Sequence, residues 1–173
     1  CTIPSSFGFT DDGDQNEYET WELPRNQGFS EMDRWILSEL SQLTSKMTEN
    51  LENWQLPYAT GGIEQFVEDL SNWYVRRSRR RFWKSDADED KQAAYATLYE
   101  CLVKLTRLIA PIIPFVSEQM YRNLAGSMAD GRGSVHLESY PVADEVRIDR
   151  RLSQAVRLAM RLSSLGRAAR SKV

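Results

Sequence analysis

Apolar residues recur along this chain at three- and four-residue steps, the spacing of one helix face. Met32, Ile36, Leu40, Leu43, Met47 and Leu51 mark a first long amphipathic helix. Ser30 suits its N-cap, and Glu31 and Asp33 place negative charge in the first turn, where the helix dipole favours it. Asn53 to Pro57 ends that helix, and Pro57 can open the next, since a first helical position needs no N–H. Ile63, Phe66, Val67, Leu70, Trp73 and Tyr74 form the second stripe. Gly61 and Gly62 sit inside it at a cost of about 1 kcal/mol each relative to Ala, which a close neighbouring helix or a local break would explain. Ala94, Leu98, Cys101, Leu102, Leu105, Leu108 and Ile109 form the third stripe. Pro111 and Pro114 interrupt it, and a short fourth helix follows through Glu118, Met120, Tyr121 and Leu124. Residues 134–141 read as extended. A last helix is expected from about Asp144 to Arg167, with Ile148, Leu152, Val156, Ala159 and Leu162 inward. The predicted fold is all-α: an antiparallel helical bundle of four to five helices, with no sheet beyond a stray strand.

A chain of 173 residues suits one domain with a real core. The pattern divides it into an acidic lead-in or linker at 1–28, a bundle at 29–125, a loop and extended connector at 126–144, and a C-terminal helix of the same domain at 145–173. The first residue is not Met and Arg170 to Val173 carry no helix-ending signal, which reads as a piece of a longer protein. No run is long enough to span a bilayer and no signal-peptide pattern opens the chain, so no membrane partner is expected. Two cysteines, Cys1 and Cys101, offer no disulfide framework, which favours a cytosolic compartment. With a single histidine they are too few for a zinc site. The acidic runs at 12–23 and 86–97 imitate calcium loops but lack the glycine and the closing glutamate.

Charge changes the picture. The formal net charge is −3, yet residues 1–24 hold six acids and no Lys or Arg. Setting these apart leaves 22 basic against 19 acidic residues, a balance of +3. The low overall charge therefore does not exclude a polyanionic partner.

Much of the positive charge gathers between Ser71 and Lys84, where five arginines and one lysine accompany four aromatics. A regular helical count carries Arg77 and Arg81 along the apolar face, as structural cations with stems on the core and heads paired with carboxylates. Arg76 and Arg79 fall on the far side and Arg80 on the flank; with Lys84 they are the candidates for phosphate contact. Trp83, also on the far side, suits either stacking on a base or packing on a neighbour. Arg150, Arg157 and Arg161 form a second basic stripe, read as solvated surface. His136 has no titratable partner nearby in sequence, and no nucleophile–base pair or phosphate loop occurs, so no catalytic residue is assigned.

The segments 32–38, 66–84, 95–99, 110–115, 134–137 and 165–170 resemble, in order, the anticodon-binding region of isoleucyl-tRNA synthetases of class I. The Asn72-Trp73-Tyr74 element is similar to valyl, leucyl and methionyl relatives as well, whereas the arginine-dense continuation and Gly166-Arg167-Ala168-Ala169-Arg170 resemble the isoleucyl branch. The resemblance implies a parent enzyme that attaches isoleucine to its tRNA with ATP and magnesium. Its catalytic domain, with HIGH and KMSKS motifs absent from this stretch, and its editing domain would lie elsewhere in the parent. The stretch itself would be a noncatalytic, cofactor-free, monomeric module for the anticodon arm of an isoleucine tRNA. A structural or protein-interaction bundle is the competing reading.

Overall fold

The computed structural model describes residues 29–83, 88–125 and 133–171. The acidic lead-in, Lys84 and the first part of the 126–144 connector lie outside the described residues. Six α-helices follow one another: α1 (Glu31–Glu52), α2 (Leu56–Glu68), α3 (Arg76–Phe82), α4 (Glu89–Ile109), α5 (Pro114–Ala125) and α6 (Arg150–Arg170). A π-helical segment, Asp69–Val75, joins α2 to α3 without a break, so the bundle has five rods. No strand occurs among the described residues. No described helix is long and apolar enough to cross a membrane.

The first helix is the centre of the bundle. Ser30 accepts a hydrogen bond from the Asp33 amide at 3.2 Å, and Asp33 accepts one from the Ser30 amide at 2.8 Å. This capping box fixes where α1 begins. Ile36, Leu40, Leu43 and Met47 are buried as the stripe predicts, but so are Trp35 and Leu37, which lie beside it. They are covered because α2, α4 and α6 all pack against α1. A Cβ on Gly62 would sit 2.7 Å from Leu43 Cδ1, so close approach of α1 accounts for this glycine, while Gly61 faces open space.

The connector departs from the sequence expectation. Residues Val135–Leu137 form a 3₁₀ turn instead of an extended run. Glu118 of α5 dictates this by accepting from both Ser134 Oγ and the Val135 amide at 2.9 Å. The last helix starts at Arg150, later than expected, after a 3₁₀ turn at Glu145–Arg147. Asp149 caps it, and the Asp149 amide donates to Ser38 Oγ of α1 at 2.9 Å. Its buried residues are Ser153 and Met160; Ala159 and Leu162, expected inward, are exposed. Hydrogen bonds and ion pairs from this helix to the bundle come from its first half, and every residue from Arg161 to Ser171 is exposed. Arg157, expected on a solvated stripe, instead reaches Glu39 Oε2 at 2.7 Å and Asp69 Oδ2 at 2.6 Å.

Candidate nucleic-acid interface

The helix that carries the arginines is anchored on one side and open on the other. Its inward positions are Phe66, Leu70, Tyr74 and Ser78, each four residues after the last. A regular helix turns every 3.6 residues, so three such steps take up about one residue more than α-geometry allows. The π-helical segment supplies that residue, and within it the consecutive Asp69 and Leu70 are both buried.

This shift corrects the reading of Arg77. The regular count places Arg77 on the apolar face, but Ser78 takes the inward position and is 2% exposed. Arg77 is exposed, and its guanidinium lies 5.6 Å above the Trp73 ring centroid, with no carboxylate partner among the described residues. The signal was present in the sequence, since Ser78 is the one small residue between Arg76 and Arg81.

Arg81 turns inward. Its Nη1 and Nη2 donate to Asp33 Oδ1 and Oδ2 at 2.8 and 2.7 Å, and its Nε donates to Asp90 Oδ1 at 2.8 Å. Tyr74 Oη donates to Asp33 Oδ1 at 2.7 Å. Burial opposes the charged form of Asp33, but the bonds from Arg81, Tyr74 and Ser30 outweigh it and hold its pKa below the ordinary aspartate value. Burial raises the Tyr74 phenol far above its usual range, and the neighbouring Asp33 charge adds to this. The end of α3 is thus clamped to the starts of α1 and α4. Phe82 adds edge contacts with Tyr74 and Tyr95, at centroid distances of 6.5 and 5.1 Å.

The opposite side is cationic. Arg76, Arg79 and Arg80 are exposed and make no ion pair with a described residue. Trp83 is 75% exposed, so it is not packed into the core, and Arg79 stacks on its ring at 5.4 Å from the centroid. The structure therefore brings Arg76, Arg79, Arg80 and Trp83 together on one solvent face, adds Arg77, and keeps Arg81 as the structural cation that the sequence predicts. A rigid helix with guanidiniums exposed to water attracts phosphate, and an exposed indole offers a flat surface to an unstacked base. His136 is an exposed residue of the 3₁₀ turn at 135–137, away from this face in the chain.

The family described as the anticodon-binding domain of tRNA ligase matches residues 33–173. An isoleucine–tRNA ligase of Dehalococcoides mccartyi is 56% identical over 144 residues, covering 82% of this chain and 14% of that protein. The isoleucine–tRNA ligase of Thermobifida fusca is 47% identical over 149 residues, 86% of this chain and 14% of that protein. That of Thermus thermophilus is 44% identical over 144 residues, 82% of this chain and 14% of that protein. The chain thus spans about one-seventh of the length of these relatives. On its own residues and on these matches, the chain belongs to the family of tRNA-ligase anticodon-binding domains.

Proposed function

We propose that the exposed face of α3 grips the anticodon arm of an isoleucine tRNA on behalf of a longer isoleucine–tRNA ligase. The observation that carries this reading is the set of exposed guanidiniums of Arg76, Arg79 and Arg80, without an ion pair among the described residues, beside Trp83 on a helix whose other side is clamped to the core. Phosphate contacts from the arginines fix the position of the arm, and Trp83 stacks on one splayed base. Lys84, next in sequence, adds a further positive charge. The module itself holds no cofactor; ATP and magnesium belong to the catalytic part of the longer protein, which works in the cytoplasm. Docking the anticodon arm here orients the acceptor end toward that part, which is catalysis by proximity. The module acts as a monomer.

The test is binding of an isoleucine tRNA across a salt series. About four phosphate contacts give a slope of roughly −3 in log affinity against log salt. Charge reversal at Arg76, Arg79 and Arg80 together is expected to abolish binding and leave the helical signal intact. Unchanged binding would reject the reading. It would favour a protein-interaction bundle instead, for which the exposed Leu158, Leu162 and Leu165 of α6 are the observation in support.

A further inference from the structure

The outward side of the π-helical segment and α3 has a symmetry that the list of arginines conceals. At about 100° per residue, Arg79, Trp83, Arg76, Arg80 and Arg77 follow one another around less than half of the circumference of α3, and Trp73 of the preceding π-helical segment lies under Arg77. Arg76 and Arg80 stand in the middle, exposed and without a described partner. On one flank Arg79 lies on Trp83, and on the other Arg77 lies on Trp73, at 5.4 and 5.6 Å from the ring centroids. The two tryptophans differ in their surroundings. Trp83 is exposed, whereas Trp73 is half-buried and packed against the core. The Trp73 ring is therefore the better fixed platform, and the guanidinium resting on it is the better placed.

We infer that Arg77, braced on Trp73, is a phosphate-binding residue of this surface, and that the surface is bilateral: two indole-braced guanidiniums flanking two exposed ones that no described residue pairs. The ligand is a run of phosphates on one RNA strand lying across the helix. A planar guanidinium stacked on an indole keeps its N–H edge free for bidentate phosphate binding while losing less freedom on contact than an unsupported arginine. Arg76 and Arg80 adapt to the strand, and Arg77 and Arg79 set its direction. This inference rests on the RNA-binding reading of the same face, and its test is arranged so that the two fail separately.

The experiment measures binding of an anticodon stem-loop RNA to the full chain between low and moderate salt, for Arg77→Gln, Arg77→Lys, and Lys46→Gln as an exposed control on α1. Arg77→Gln is expected to reduce the salt slope by about 0.7 to 0.9, and to weaken binding roughly five- to eightfold at about 0.1 M salt. Arg77→Lys keeps the charge and loses the planar stack. It is expected to retain the slope and still bind more weakly than the native chain. Lys46→Gln is expected to change neither. If Arg77→Gln matches Lys46→Gln while reversal at Arg76, Arg79 and Arg80 abolishes binding, the role of Arg77 is overturned and RNA binding by the face stands. If Arg77→Lys binds as tightly as the native chain, the bracing by Trp73 is overturned. If the triple reversal is also silent, both readings fall.

Discussion

Both carboxylate oxygens of Asp33 are taken by one guanidinium, that of Arg81, at 2.8 and 2.7 Å across a sequence separation of 48 residues. The pair joins the first turn of the bundle to the last turn of the cationic helix. Asp33 is fully buried, and the Arg81 side chain is 15% exposed. Removing one partner leaves the other charged and buried. Asp33→Asn is therefore expected to cost about 3 to 5 kcal/mol of stability. Tyr74→Phe, which removes one hydrogen bond to the charged acceptor, should cost about 1.5 to 3 kcal/mol. Urea unfolding followed by circular dichroism measures both, as a lower midpoint at unchanged slope.

The two buried aspartates respond to acid in opposite senses. Asp33 has a pKa lowered in the folded state, so its contribution is present above the unfolded value and is lost as pH falls through the folded one. Burial raises the pKa of Asp69, with Arg157 opposing that shift only in part. Folded Asp69 therefore binds its proton more tightly than the unfolded chain does. Its ionisation lowers stability as pH rises from the unfolded value through the folded one. Asp69→Asn is expected to remove this loss, so that the variant and the native chain converge in stability toward pH 4. Asp33→Asn is expected to flatten the acid limb below that. Midpoint temperature against pH, for the native chain and each variant, decides both signs.

The paired glycines of α2 should part company. Gly61 sits in a helix interior with nothing within 4 Å of a built Cβ, so Gly61→Ala is expected to stabilise by about 0.8 to 1 kcal/mol. The same change at Gly62 brings a methyl to 2.7 Å from the buried Leu43 side chain. That crowding is expected to cancel or exceed the helix gain. A thermal midpoint that rises equally for the two variants would show that α1 and α2 can separate at no cost.

The register of the cationic helix can be tested without RNA. With Ser78 inward and Arg77 outward, Arg77→Ala should alter stability by less than about 0.5 kcal/mol. Ser78→Arg should destabilise by about 1 to 3 kcal/mol, because the bulk has no room beside Tyr74. The reverse order of effects would place Arg77 on the core, as a regular helix would.

Local chemistry made several features legible. Ser30 and Asp33 announce the start of α1, and Pro57 and Pro114 stand at the openings of α2 and α5. Arg76, Arg79 and Trp83 fall on the far side by simple count and Arg80 on the flank, and the structure leaves all four in solvent. A periodicity count misplaces Arg77 and Arg157 for two different reasons. A periodicity count assumes an unbroken α-helix and a partnerless surface. A π-helical turn violates the first assumption, and a crossing helix violates the second.

The amino-acid order thus determined where helices form, what caps them, which end is positively charged and which family the chain resembles. These follow from interactions within a few residues or from the identity of the residues themselves. Tertiary structure alone decided which side of each helix faces inward past the π-helical segment. It also decided which carboxylate receives Arg81, that Arg157 serves the core and that Arg77 does not. Those outcomes depend on Asp33, Glu39 and Asp69, carboxylates that lie 48 to 118 residues away along the chain and meet the arginines only once the bundle has closed.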